Sequence, residues 1–185
     1  MADHAHDHAH ASPHPAPAEG AAEAFPQGDH DHHACVATAL DAAERICAAN
    51  GARLTDLRRR VLELVLEGHE PVRAYDVLDR LKDERSGAAP PTVYRALDFL
   101  LEQGLVHRIE SMNAFVGCGL AGRSHAGQFL ICDACGRVAE VTDAGTSDRL
   151  AALARAAGFT LKRQMVELHG LCPACTTAAG EGDAA

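Results

Sequence analysis

The chain has 185 residues, enough for one generous core or two small ones. It holds no run of about 18 apolar residues, which excludes a membrane-spanning helix, and its N-terminal stretch lacks the basic and apolar regions of a signal peptide. The net charge of −9 excludes a broad basic face, but six of the acids fall in residues 1–33 and two in residues 176–185, with no Lys or Arg in either stretch. The part between is close to neutral, so binding to nucleic acid stays open and would rest on a few placed arginines. Such a chain is expected in the cytoplasm, where cysteines stay reduced and are read as metal ligands before disulfides.

Residues 1–33 hold eight of the twelve histidines among Ala, Asp and Pro. With so few large apolar side chains they are expected to be a disordered, His-rich tail, either a solvated segment or a weak metal trap. From Ala34 to Asn50, Val36, Leu40, Ala43, Ile46 and Cys47 recur at helical spacing. Cys47 lies on that stripe and reads as a small core residue. Cys35, just after the last histidines, has no assigned role. Thr55 is placed to cap a second helix carrying Leu57, Val61, Leu64 and Val65, and a third runs from Ala74 to about Arg85 with Val77, Leu78 and Leu81 inward. Pro91 opens a fourth helix that stops at Gly104. "LVHRIE" then alternates as a strand, and three short helices with a strand ribbon make the pattern of a winged helix-turn-helix.

On the fourth helix Val93, Ala96, Leu97 and Leu100 share one face, while Tyr94, Arg95, Asp98 and Glu102 share the other. A Tyr-Arg pair pointing to solvent near a helix N-terminus suits the major groove, with Arg95 donating to guanine and Tyr94 touching a thymine methyl or a phosphate. Thr92, in the same turn, is placed to reach a phosphate. Beyond "GCGLAGRS", which reads as a hinge, come strands at Gln128–Cys132 and Val138–Val141, a helix at Asp148–Ala157 and a longer strand at Phe159–His169. The whole is an α+β chain: a winged domain followed by a small α/β unit.

Cys132-x-x-Cys135 and Cys172-x-x-Cys175 have the spacing of two knuckles around one tetrahedral Zn²⁺, and Gly136 supplies the tight turn after the first pair. Structural zinc contributes roughly 10–16 kcal/mol, as much as a whole domain's stability of about 5–15 kcal/mol. That ion is expected to be permanent. His107, Cys118, His125 and Glu140 are left over, and spacing alone does not join them.

"RLTDLRRRVLELV", "AYDVLDRL", "PPTVYRALDFLLEQGLVHRIES" and "FLICDACG" together resemble the ferric uptake regulator (Fur) family, most closely its zinc-responsive branch, over about residues 35–175. The resemblance implies a homodimeric, metal-dependent repressor of zinc-uptake genes that binds palindromic operators in double-stranded DNA. Its parts would be a winged-helix domain at 34–112, a hinge at 113–123, a dimerisation and metal-binding domain at 124–176 and a second disordered tail at 177–185. It implies a sensory zinc on His107, Cys118, His125 and Glu140, hence two zinc ions per protomer. It also supports the groove role of Thr92-Val93-Tyr94-Arg95, with Arg58 and Arg59 as further phosphate contacts. The "HHDH" of iron-type members is replaced here by Ala126, Gly127, Gln128 and Phe129, none of a type that ordinarily ligates iron or zinc. That departure, with a thiolate in the set, favours zinc over iron or manganese and weakens an iron- or peroxide-responsive alternative. His169 is read as a strand-end cap rather than as an aid to the sensory site.

Two other classes fit less well. "CPAC" is similar to the Pro-Cys-x-x-Cys of zinc deaminases, but no His-x-Glu precedes it and no Ser-His-Asp set or phosphate loop is present. An enzyme is not expected. A zinc buffer would need its His-rich tail for its role, whereas a repressor would not.

Overall fold

The computed structural model describes residues 25, 32–68, 70–84, 87–123 and 125–182. Its order is α1 (His32–Ala49), α2 (Asp56–Leu66), α3 (Ala74–Glu84), α4 (Pro90–Glu102), β1 (Val106–Ile109), β2 (Ala114–Gly117), β3 (Gly127–Cys132), β4 (Val138–Val141), α5 (Ala144–Ala156), β5 (Met165–Gly170) and α6 (Pro173–Gly182). The expected disorder of residues 1–33 falls largely outside the described residues, although α1 already includes His32 and His33. Among the described residues no helix is long and apolar enough to cross a membrane.

The first four helices close on one core. Leu40, Ala43 and Cys47 of α1, Val61, Leu62, Leu64 and Val65 of α2, Val77, Leu78 and Leu81 of α3 and the Val93, Ala96, Leu97 and Leu100 stripe of α4 meet there, on the inward faces that helical spacing predicts. Thr55 has the extended backbone of an N-cap, but its side chain makes no capping hydrogen bond. Proline stands in the first turn of α4, and Gly104 ends the helix at φ +64°, a conformation that a side chain would strain. β1 and β2 pair antiparallel to form the wing. The return strand Ala114–Gly117 lies within the stretch expected to be hinge, so the connector begins only at Cys118.

The second unit is a three-stranded sheet in the order β4-β3-β5, with β3–β4 antiparallel and β3–β5 parallel. α5 makes the crossover. It starts four residues before the expected Asp148, because Asp143 caps it by accepting from the Thr146 N–H at 2.7 Å. β5 begins at Met165 rather than at Phe159, and residues 159–164 are irregular. The tail expected at 177–185 is helical as far as Gly182. Pro173 starts α6 where its missing N–H costs nothing, and the Thr176 N–H closes the first turn on the Cys172 carbonyl at 2.9 Å.

A second apolar cluster joins wing to sheet: Ile109 with Phe129, Ile131 and Val138, flanked by Met112, Val116 and Met165. α5 buries none of its residues, and Leu150, Leu153, Phe159, Leu161, Leu168 and Leu171 remain exposed around it and β5.

Candidate metal centres and nucleic-acid interface

The four sulfurs of Cys132, Cys135, Cys172 and Cys175 lie within 4.8 Å of one another. Cys135 Sγ and Cys172 Sγ are 3.8 Å apart, the edge expected of a tetrahedron with Zn–S bonds of about 2.3 Å. Backbone folds the knuckle: the Gly136 N–H donates to the Cys132 carbonyl at 2.9 Å, and Gly136 takes φ +73°. The Cys172 N–H points at Cys132 Sγ from 3.3 Å. That contact, with the N–H of Cys135, pulls the Cys132 thiol down to about 6, while the neighbouring sulfurs Cys172, Cys135 and Cys132 push Cys175 up to about 12. Four converging thiols oppose one another's ionisation unless a cation shares their charge. The donors fit a resident Zn²⁺, which would supply a cross-link between the β3 end and the start of α6.

A second quartet, His107, Cys118, His125 and Glu140, also brings its ligand atoms within 4.8 Å of one another. His107 Nε2 stands 3.1 Å from His125 Nε2 and 2.9 Å from Glu140 Oε1, and His125 Nε2 lies 2.7 Å from Glu140 Oε1 and 3.5 Å from Cys118 Sγ. Each ligand is held from behind. His125 Nδ1 donates to the Arg123 carbonyl at 2.9 Å, which fixes the tautomer and leaves the Nε2 lone pair facing inward. Glu140 Oε2 accepts from the Gly119 N–H at 2.9 Å, leaving Oε1 for the cluster. His107 meets the ring of Phe129 edge-on at 5.1 Å. The Cys118 N–H donates to the Leu105 carbonyl at 3.0 Å, which ties the thiol to the turn after α4. Burial, then the Glu140 charge, pushes the Cys118 thiol up to about 12. Burial also pushes Glu140 upward, but the hydrogen bonds from His107 and from the Gly119 N–H outweigh it and hold the carboxyl below its usual range.

The supporting groups Arg123, Gly119 and Leu105 act through backbone atoms, so no side-chain pattern could have revealed them. Gly127 could have been suspected. A Cβ there would stand 2.8 Å from Phe129 Cε2 and 3.7 Å from His107 Nδ1, and Phe129 is fully buried. Gly127→Ala should therefore destabilise the protein by about 1–3 kcal/mol and, by displacing the Phe129 ring that His107 packs against, lower zinc affinity at this quartet while leaving the four-cysteine cage intact. Thermal unfolding and competition with a zinc chelator measure the two effects.

His169 is not part of either quartet; its Nδ1 meets Asp133 Oδ1 at 2.9 Å near the end of β5. The Fur-like ligand positions Ala126 and Phe129 carry no donor, and Gln128 is spent on α5, donating to the Asp143 carbonyl and Ser147 Oγ at 2.8 Å each.

On α4, Tyr94 is 42% exposed and Arg95 is exposed, both opposite the core stripe, with Thr92 half-buried beside them. The two arginines of α2 are differently placed. Arg58 lies over the Phe99 ring at 3.5 Å and donates to the Arg53 carbonyl at 2.7 Å, while Arg59 pairs with Glu44 and Glu63. Both are engaged within the domain. Tyr75, in the first turn of α3, is 63% exposed and was not singled out. The signal was available, since Tyr75 falls off the Ala74, Val77, Leu78, Leu81 stripe as Tyr94 falls off its own.

Residues 49–169 match the model of the Ferric uptake regulator family. Over 137 residues the chain is 47% identical to the Zinc uptake regulation protein of Escherichia coli (strain K12), covering 74% of this chain and 80% of that protein. Among solved structures it is similar to a Zinc Uptake Regulator complexed with zinc and DNA, with a TM-score of 0.74 and 42% identity over 82% of this chain and 99% of that one. It is also similar to holo XcZur, with a TM-score of 0.71 and 44% identity over 76% of this chain and 98% of that one.

Proposed function

The chain belongs to the ferric uptake regulator family, and we propose that it is a zinc-responsive, homodimeric DNA-binding repressor of zinc-uptake genes, acting in the cytoplasm. The observation that carries this reading is where the second quartet sits. His107 comes from the wing and Cys118 from the chain leaving it, whereas His125 and Glu140 belong to the connector and the sheet. An ion held by all four ties the reading domain to the dimerisation unit.

Two zinc ions per protomer follow, with different duties. The four-cysteine ion is permanent and holds one end of β3. The His107, Cys118, His125 and Glu140 ion is reversible: two neutral imidazoles, one thiolate and one carboxylate balance its charge, where four thiolates would leave −2. Glu140 and Cys132 lie on adjacent strands of one sheet, so the permanent site stiffens the platform on which the reversible one assembles. The apolar residues left exposed around α5 and β5 are suited to the second copy. Each protomer then presents Tyr94, Arg95 and Thr92 to one half of a palindromic operator. Base contact rests on α4, because Arg58 and Arg59 would have to leave intramolecular partners before meeting a phosphate.

The coupling required is modest. About 1–3 kcal/mol between zinc and DNA changes affinity roughly 5–150-fold, and linkage makes DNA tighten zinc equally. The test is a titration of protein stripped of its exchangeable metal with zinc, ferrous iron or manganous ion, in the presence of palindromic DNA selected from a random library by the zinc-loaded protein. Zinc should raise DNA affinity by that factor. Arg95→Ala should lower it by roughly 1–3 kcal/mol with zinc content unchanged. Equal stimulation by iron, with no need for Cys118, would overturn the zinc assignment.

A further inference from the structure

Registered neighbours on adjacent strands present their side chains on one face. Phe129 of β3 is paired with Glu140 on β4 and with Glu167 on β5. The sheet therefore carries a row, Glu140–Phe129–Glu167, with a carboxylate at each end and a fully buried ring between them. The wing lies along this row. His107 meets Glu140 and Phe129 at one end, and Ile109 joins the Phe129 cluster in the middle. At the other end Glu167 accepts two backbone N–H groups of the wing turn, Glu110 at 2.7 Å and Ser111 at 3.1 Å. The lengths agree: two interstrand gaps span roughly 9.6 Å, and the three residues from 107 to 110 rise roughly 10 Å along a strand.

From this juxtaposition we propose that Glu167 is a positioning residue for DNA binding, a metal-independent anchor that pins the wing tip to the dimerisation sheet while zinc controls only the other end of the wing. The proposal rests on the zinc-responsive reading above. Apolar packing of Ile109 holds the middle of the wing but sets no direction, so its orientation rests on the two polar ends. With the sensory quartet empty, Glu167 fixes one end and the other can rock over the apolar contact; with it filled, both carboxylates hold the wing and the pose is set. Charge-assisted bonds from two N–H groups give the anchor its strength, and Arg163 Nη2, 3.0 Å from Glu110 Oε1, reinforces the same corner. Burial pushes the Glu167 carboxyl upward, but the Ser111 and Glu110 hydrogen bonds outweigh it and keep its pKa below the usual range.

The experiment compares the full-length dimer with Glu167→Ala and Glu167→Gln variants, reading amide exchange at residues 110 and 111, zinc affinity and affinity for the selected palindromic DNA. In the wild type the two amides should exchange slowly whether the sensory site is empty or filled. Glu167→Ala should release them, keep both zinc ions and bind DNA roughly tenfold more weakly at saturating zinc. Glu167→Gln, which keeps one carbonyl acceptor, should fall between, and it decides the matter if the alanine variant does not fold. Fast exchange of the wild-type tip amides with the sensory site empty would overturn the anchor, as would variants that grip DNA like the wild type. If the wild type shows no zinc-dependent DNA binding at all, the regulatory reading fails, and tip exchange still decides the anchor separately.

Discussion

Cys118→Ser should yield a folded dimer that carries one zinc ion per protomer and no longer tightens on DNA when zinc is added. Serine matches cysteine in shape but offers no thiolate, so the quartet loses its soft donor and much of its preference for zinc. The rest of the molecule has little reason to change. Cys118 is only half-buried, the N–H that meets the Leu105 carbonyl is backbone, and neither apolar cluster contains the thiol. The expected loss is the whole coupling of roughly 5–150-fold in DNA affinity, read by zinc titration of labelled DNA, with circular dichroism and size-exclusion profiles unchanged. A Cys118→Ser protein that still responded to zinc would remove the sensory role of the quartet.

Cys132→Ser should fail differently. Among the described residues the upper core has nineteen buried members and the sheet's cluster only four, one of them lent by the wing. A sheet so thinly packed would depend on an ion held by its four cysteines, since structural zinc contributes roughly 10–16 kcal/mol, which rivals the stability of a typical domain at about 5–15 kcal/mol. Cys132 is buried and also receives the Cys172 N–H, so its loss breaks both the metal cage and the contact that brings α6 back to β3. Little folded dimer should be recovered, and what is recovered should unfold at far lower denaturant than Cys118→Ser. A stable Cys132→Ser dimer holding two zinc ions per protomer would show that the cysteine cage is dispensable.

The features legible in the sequence were those whose signal is local. Helical periodicity gave the core stripes of α2, α3 and α4, and with them the outward pair Tyr94 and Arg95. Cysteine spacing gave the four-sulfur cage. The other quartet was not legible in that way: His107, Cys118, His125 and Glu140 have no common spacing, and only the family resemblance joined them before the fold did. Strand Ala114–Gly117 was missed because it pairs with β1 through backbone in a short, glycine-ended stretch with little alternation. Helix α6 was missed for a related reason, since its small Thr, Ala and Gly residues carry no apolar stripe and a proline start decides it. The roles of Arg58 and Glu167 depend on a ring or an N–H supplied from far along the chain. No window of sequence contains both partners.

The parallel pairing of β3 with β5 bears on how the protein is made. All four side chains of the His107, Cys118, His125 and Glu140 quartet lie at or before residue 140, whereas the four-cysteine cage needs Cys172 and Cys175. Domains form largely in the order in which they leave the ribosome, and a parallel pair joined by a long crossover is slow to close. On the proposed reading, a growing chain thus displays all four sensory ligands before it owns the scaffold beneath them. Zinc taken up early would be held by an unfinished hairpin, and the switch would be complete only when the last cysteine pair emerges.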